Sequence, residues 1–278
     1  MPLMSVAELA REIDSLDLRV VDVRWYLGRR DAGRKAFEGG VGYMDLNYNV
    51  LTFQGDDYVY VPQKFQVPYV QAGLVGDTTF WRDYGPHAGR RWSVRPGLYF
   101  DLDNGGLLTR EVRLDVRQYV PISRRNELAF RLFSGWADGN SPTYFYFGGL
   151  DTLRGFDYRS LVGNRAAYLN AEWRFPLIDY LILPWLHLAN LRGRVFLDVG
   201  AAYFDLNGQK FTQTPNGILS GFDFMEDGRL KDGVSSYGFG FSVNMFGLPL
   251  HWDFAKLWNF EESLKEGYTT SFWIGFRY

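Results

Sequence analysis

A strict alternation of apolar and polar residues, repeated from about residue 18 to the C-terminus, is the feature that most constrains the fold of this chain. It is clearest in residues 165–177. There the apolar face carries Ala167, Leu169, Ala171, Trp173 and Phe175, and the polar face carries Tyr168, Asn170, Glu172 and Arg174. Because successive side chains of a β-strand point to opposite faces, the pattern predicts strands with one apolar and one polar face.

The alternation predicts eleven strands, at residues 18–28, 40–50, 66–80, 89–102, 107–120, 126–137, 165–177, 191–204, 233–246, 249–258 and 268–278. Several exceed the ~5–6 residues of soluble strands and match the ~9–11 residues of a tilted membrane crossing. Long connections at 51–65, 138–164 and 205–232 contrast with short ones at 121–125 and 247–248, as in outer-membrane proteins. We therefore expect an all-β fold, a transmembrane antiparallel β-barrel of about 11–12 strands.

A soluble β-sandwich or lipocalin-like barrel is the alternative, since 18% aromatic residues and a mean hydropathy of −0.22 suit both classes. No stretch approaches the ~20 apolar residues of a spanning helix. The polar faces carry arginine and carboxylates that could pair across a lumen. Aromatic residues also bound the apolar faces, as interfacial girdles do: Trp25, Tyr119, Trp136, Trp173, Tyr203, Trp258 and Tyr278. Both features favour the membrane barrel.

Composition excludes several functional classes. A net charge of −2 gives no footprint for nucleic acid, and the absence of cysteine excludes disulfides and thiolate metal sites. The three histidines, His87, His187 and His251, lack metal-ligand spacing. We assign no catalytic, metal or cofactor-binding residue and expect no enzyme activity, although His251 beside Asp253 keeps a lipolytic barrel as an alternative.

Two segments depart from the alternation. Residues 4–15 have helical spacing, so we predict a short helical segment at 1–17 and a barrel domain at 18–278. The apolar run 177–191 contains Pro184 and is too short to span a bilayer as a helix, so we predict an interfacial turn there.

An ordered set of motifs carries the most specific signal. FGGLDTLRGF at 147–156 is followed by GNRAAYLNAEWRFPL at 163–177 and RGRVFLDVGAAYF at 192–204. This order resembles the BamA/TamA family of bacterial surface antigens. Further similar segments, at 73–94 and 114–136, extend the resemblance to about residues 66–278, which is the barrel domain only.

In that family the LRGF loop folds back into the lumen, and its arginine pairs with carboxylates of the following strands. The resemblance therefore assigns a lumen-loop motif to Arg154, Gly155 and Phe156, with Glu172 and Asp198 as the partners of Arg154. The alternation independently places both carboxylates on the polar face. A guanidinium suits this role because it stays charged and presents a planar fork to carboxylates.

The last strand ends in an alternating aromatic pattern. It resembles the C-terminal signal by which outer-membrane barrels are recognised for insertion, here Phe272, Ile274, Phe276 and Tyr278.

The resemblance implies a location in the bacterial outer membrane and a role in outer-membrane protein assembly or polypeptide translocation. The implied partners are the lipid bilayer, unfolded outer-membrane polypeptides, and a periplasmic domain or partner protein, but not nucleic acid. A passive porin-like channel is the second alternative. The family barrel has about sixteen strands, within the range of such barrels, so we expect either a truncated barrel or an additional strand in residues 1–17.

Overall fold

The computed structural model describes residues 23–26, 34–54, 57–82, 84–102, 105–183, 186–213, 219–245 and 248–275. The predicted helical segment 1–17 and the predicted signal residues Phe276 and Tyr278 lie outside the described residues. Within the described part of the chain, no helix is long and apolar enough to cross a membrane.

Eleven antiparallel strands form the main path of one sheet, and each strand pairs with its neighbours along the chain. They are β1 Val23–Tyr26, β2 Arg34–Gln54, β3 Asp57–Asp77, β4 Gly85–Asp101, β5 Gly106–Pro121, β6 Glu127–Asp138, β7 Arg165–Leu183, β8 Leu186–Leu206, β9 Val234–Met245, β10 Leu248–Trp258 and β11 Thr269–Ile274. The predicted all-β antiparallel fold is confirmed.

The prediction of a long loop at residues 51–65 is wrong. Strands β2 and β3 have 21 residues each and remain paired as far as Gln54 and Asp57. The sequence there, with VLTF facing YVYV, is rich in β-branched and aromatic residues that favour strands. Cross-strand pairing therefore extends the hairpin through a segment whose mixed polarity had suggested a loop.

The predicted interfacial turn at 177–191 is also a strand hairpin. Strand β7 continues to Leu183 and β8 begins at Leu186, with a register shift between Pro176 and Ile178. Pairing of this kind satisfies the backbone groups of an apolar segment, which explains why the run is not an isolated turn.

Short strand pairs shape the loops. Phe145–Phe147 pairs with Leu161–Gly163, and Met225–Glu226 pairs with Arg229–Leu230. Gln209–Gln213 folds back onto the end of β8 and also pairs with Leu219–Gly221, while Phe80–Arg82 folds onto the start of β4. Because the strands are antiparallel, the loops 139–164, 207–233 and 259–268 share one end of the sheet, the long-loop end. The connections 78–84, 122–126 and 246–247 share the other, the short-turn end.

The two faces of the sheet differ in exposure as the alternation predicts. In β7, Leu169 and Trp173 are 44% and 47% exposed, whereas Asn170 and Glu172 are buried. We call the face that carries Leu169 and Trp173 the outer face, and the face that carries Asn170 and Glu172 the inner face. Large exposed side chains continue along the outer face on Val112, Leu132, Val195, Leu197, Phe239 and Ile274. Within the described part of the chain no second sheet covers these six residues, which disfavours the sandwich alternative.

The inner face curls around the loop 139–164. This loop lines a cavity of about 900 Å³ together with Arg113 of β5, Tyr168 of β7, and Thr269 and Ser271 of β11. Strands from β5 to β11 therefore surround this loop, as the strands of a β-barrel surround its lumen.

We predict that the outer face contacts lipid. Leu197→Arg should lower the free energy of unfolding by about 2–4 kcal/mol, because a charge would enter the apolar band of a barrel. The measurement is urea unfolding of the protein refolded into lipid vesicles. Leu197→Phe is the matched control and should be nearly neutral. Equal stability of the two variants would show that Leu197 does not face lipid.

Candidate functional site

The segment around Arg154 turns sharply because glycine occupies two positions that other residues tolerate poorly. Gly148 has φ +118°, and Gly155 has φ +86°. A Cβ on Gly155 would lie 3.0 Å from Ala255 and from Leu257 of β10. The loop backbone therefore approaches the sheet closely at Gly155, which directs the neighbouring Arg154 into the inner face.

Arg154 is fully buried and binds two carboxylates. Its Nε donates to Asp198 Oδ2 at 2.7 Å, and its Nη2 donates to Asp198 Oδ1 at 2.5 Å. Its Nη1 donates to Glu172 Oε1 at 2.7 Å. The backbone N–H of Arg154 also donates to Asp198 Oδ2, at 3.1 Å. The structure thus brings together the three residues that the sequence assigned to the lumen loop and its partners.

Further side chains hold the two carboxylates in place. Asn170 donates to Asp198 Oδ1 at 2.9 Å and to the carbonyl of Thr152 at 2.5 Å. Arg174 Nε donates to Glu172 Oε2 at 2.7 Å. The Arg154 guanidinium also lies 3.5 Å from the ring centroid of Phe196. Each carboxylate therefore has two cationic or amide partners.

Electrostatics keep this site charged. Burial alone would lower the pKa of Arg154, but the Asp198 and Glu172 carboxylates outweigh it and raise that pKa above its ordinary value. The bidentate pairing with Asp198 is the geometry in which a guanidinium binds a carboxylate most strongly. A buried charge of this kind is tolerated only while its partners remain.

Small inner-face residues make room for the loop. A Cβ on Gly200 would lie 3.2 Å from Leu153, and a Cβ on Gly238 would lie 2.8 Å from the Phe196 ring. Leu153 is fully buried in a cluster with Tyr168, and Phe156 of the lumen-loop motif packs against that cluster. Larger residues at the two glycines would displace the side chains that enclose Arg154.

Sequence reasoning missed several of these contacts. Asn170 and Phe196 carry no motif of their own, but both fall at inner-face positions beside Glu172 and Asp198. A search of the inner face for amide and aromatic partners of the loop could have found them. The anchoring of the loop through Arg131, whose Nη1 donates to the carbonyl of Asp151 at 2.8 Å, had no sequence signal.

A second buried cluster lies at the short-turn end and was also missed. His87 Nδ1 lies 3.1 Å from Glu127 Oε2, and Arg192 Nη2 donates to Glu127 Oε1 at 2.7 Å. Arg192 also stacks on Tyr84, whose hydroxyl donates to the carbonyl of Arg124 at 3.3 Å. Burial raises the pKa of Tyr84. The cluster ties the turns 78–84 and 122–126 to β8.

A third cluster joins β8, β10 and β11. Arg194 Nε donates to Asp253 Oδ1 at 2.6 Å, and Arg194 Nη1 donates to His251 Nδ1 at 3.0 Å. The other ring nitrogen of His251 lies 2.9 Å from the carbonyl of Gly275, and the ring stacks on Trp273 at 3.7 Å. One ring nitrogen of His251 is therefore bound by β8, and the other holds the end of the last described strand.

Two residues of the predicted C-terminal signal are described. Phe272 and Ile274 lie on the outer face of β11 and are 51% and 55% exposed. Their role in insertion stays a prediction.

Breaking the Arg154 cluster should destabilise the fold. We expect Arg154→Ala or Asp198→Asn to lower the free energy of unfolding by about 3–5 kcal/mol, because each leaves a buried charge or donor unpaired. The exposed pair of Arg229 and Glu261, 3.9 Å apart, provides the control. Arg229→Ala should cost less than about 1 kcal/mol. Urea unfolding in vesicles measures both, and similar losses would contradict the buried pairing.

The close approach at Gly155 gives a second prediction. Gly155 and Gly228 have nearly equal φ angles, +86° and +84°, but Gly228 has no neighbour within 4 Å. Replacing either by alanine should cost about 1–2 kcal/mol of backbone strain. Gly155→Ala should lose about 1–3 kcal/mol more through overpacking against β10. Equal losses in urea unfolding would show that the loop is not pressed against the sheet.

Comparison with known proteins relates this architecture to two solved barrels. No family model and no curated protein matches the sequence. The structure is similar to BamA from Haemophilus ducreyi lacking POTRA domains 1–3, with TM-score 0.57 and 14% identity, covering 92% of this chain and 58% of that chain. It is also similar to CdiB from Escherichia coli, with TM-score 0.56 and 14% identity, covering 92% and 44%.

The chain therefore spans roughly half the length of each of these structures. At this level of identity the similarity shows the fold, and it confirms the barrel architecture expected from the ordered motifs. The chain folds as a BamA/TamA-like β-barrel.

Proposed function

We propose that this chain is an outer-membrane barrel domain that takes part in outer-membrane protein assembly or polypeptide translocation. The observation that carries the proposal is the loop 139–164, held in the inner face by the buried contacts of Arg154 with Asp198 and Glu172. The fold shared with BamA and CdiB chains supports it. Unfolded outer-membrane polypeptides and a periplasmic domain or partner protein are the proposed partners.

The orientation follows from the connections. Outer-membrane barrels have short periplasmic turns and longer extracellular loops. We therefore place the short-turn end in the periplasm and the long-loop end outside the cell. The outer face then contacts the bilayer, and the loop 139–164 enters the lumen from the extracellular side.

The same loop disfavours a passive porin. A porin has a water-filled lumen, whereas Arg154, Leu153 and Asp198 are fully buried where the loop meets the sheet. A barrel that is closed at rest and opened by a client or partner fits these contacts better than a permanently open channel.

A lipolytic activity also finds little support. A general base needs a ring nitrogen free to take a proton from a nucleophile. Both ring nitrogens of His251 are already bound, and His87 is buried against Glu127. If ester hydrolysis were detected and were lost in a variant lacking all three histidines, the lipolytic alternative would replace our proposal.

The proposal predicts faster folding of client barrels. Proteoliposomes containing the chain should fold a denatured outer-membrane barrel faster than empty vesicles, as scored by heat-modifiable mobility on gels. Arg154→Ala should reduce the acceleration, because the loop would no longer be positioned, and Arg229→Ala should not. If the native chain does not accelerate folding of the client barrel, that result would argue against an assembly role.

Conductance separates the closed barrel from a porin. In planar bilayers the native chain should show rare openings, and deletion of residues 147–156 should give a steadily open pore because the loop obstructs the lumen. Arg229→Ala should behave like the native chain. Steady conductance of the native protein, unchanged by the deletion, would identify a passive channel.

A further inference from the structure

A group of basic side chains lies at the short-turn end, with Lys35 and Arg90 on the outer face and Arg82 and Arg124 in the adjoining turns. Lys35, Arg82, Arg90 and Arg124 are all exposed. In the part of the chain that the structure describes, none of the four has a carboxylate within ion-pair distance. Their recorded side-chain partners are neutral: Arg90 Nε donates to Gln118 at 2.6 Å, and Arg82 lies 5.5 Å from the Phe80 ring.

Many cations elsewhere are paired with carboxylates, whereas Arg159, Lys210 and Lys256 near the long-loop end lie over aromatic rings. On the inner face, Arg154, Arg174, Arg192 and Arg194 each bind a carboxylate. At the long-loop end of the outer face, Arg110 pairs with Asp138 at 2.7 Å, and Arg165 pairs with Asp205 at 3.5 Å. Among the described residues, the short-turn end is therefore one of two places where cations lie together without an acidic partner.

Lys35 and Arg90 adjoin the apolar band of the outer face. Lys35 is aligned across the sheet with Gly76 and Trp92, and the Trp92 indole covers Gly76. Arg90 lies two residues from Trp92 on the same face. Aromatic and basic residues combined in this way are typical of the boundary between bilayer and water.

The adjoining turns complete the surface. Phe80, Trp81 and Ile122 are 56%, 43% and 58% exposed, beside Arg82 and Arg124. The turns 78–84 and 122–126 that carry them are joined by the hydrogen bond from Tyr84 to Arg124 and fixed by the buried His87–Glu127–Arg192 cluster. We call these four cations and three apolar side chains the patch. The buried cluster holds its turns in place without a bound partner.

We propose that this patch binds the headgroups of anionic phospholipids in the periplasmic leaflet. Exposed apolar side chains would enter the edge of the acyl region, while the four cations reach the phosphodiesters above it. Opposite charge favours an anionic headgroup over a zwitterionic one, and each lysine or arginine near such a surface contributes about fivefold to binding. The inference rests on the membrane orientation given under the proposed function.

Lipid-specific quenching tests the proposal. The full chain is refolded into phosphatidylcholine vesicles, and tryptophan quenching is compared for brominated phosphatidylglycerol and brominated phosphatidylcholine. The native chain should prefer phosphatidylglycerol, and Arg82→Gln/Arg90→Gln/Arg124→Gln should reduce that preference by fivefold or more. The control Arg110→Gln/Lys210→Gln/Arg229→Gln removes the same charge near the long-loop end and should keep the preference. High salt should weaken it in the native chain.

Several outcomes would overturn the assignment. An unchanged lipid preference in the first triple variant would indicate that the patch binds an acidic protein partner and not a lipid. An equal loss of the phosphatidylglycerol preference in the control variant would show that the preference depends only on the net charge of the protein. Competition by inorganic phosphate, beyond that of chloride at matched ionic strength, would indicate a free-anion site. Quenching without preference refutes this inference alone, whereas no quenching by either lipid refutes the membrane placement itself.

Discussion

The buried contact of Arg154 with Asp198 and Glu172 is the interaction on which the rest of the site depends. A guanidinium removed from water is tolerated only with well-placed carboxylates, and here two carboxylates and the Phe196 ring surround it. Because Arg154 belongs to a loop and its partners belong to β7 and β8, satisfying this one charge draws the loop into the inner face. The glycines at 200 and 238 and the positive φ of Gly155 follow from that requirement.

The same chemistry recurs along the inner face, where arginine and carboxylate pairs link strands that are not neighbours. Glu127 of β6 joins His87 of β4 and Arg192 of β8, and Arg194 of β8 joins Asp253 of β10. Contacts that skip a strand hold the curvature of the sheet, which backbone pairing between neighbours leaves free. Where these clusters lie, the inner face is polar and buried, and separating the strands requires the partners of each buried charge to be replaced.

The outer face follows a different rule, because its solvent is proposed to be lipid. Its midsection is apolar, and its long-loop boundary carries the ion pairs of Arg110 with Asp138 and of Arg165 with Asp205. Its short-turn boundary carries Lys35 and Arg90, which have no acidic partner among the described residues. The proposed lumen function and the proposed headgroup site therefore use opposite faces of the same strands. The buried cluster at Glu127 connects them, since it fixes the turns that present Arg82 and Arg124.

The sequence by itself determined the sheet, its two faces and the parity of Glu172 and Asp198, because alternation is a local property of each strand. It also marked Arg154 through an ordered motif. It misjudged residues 51–65 and 177–191, where cross-strand pairing extended strands beyond their clear alternation. Only the tertiary structure decided that Asn170, Phe196 and Arg131 serve the loop, and that His87, Glu127 and Arg192 meet. Those contacts join residues 18 to 65 positions apart, and the curvature that brings them together is a property of the whole sheet.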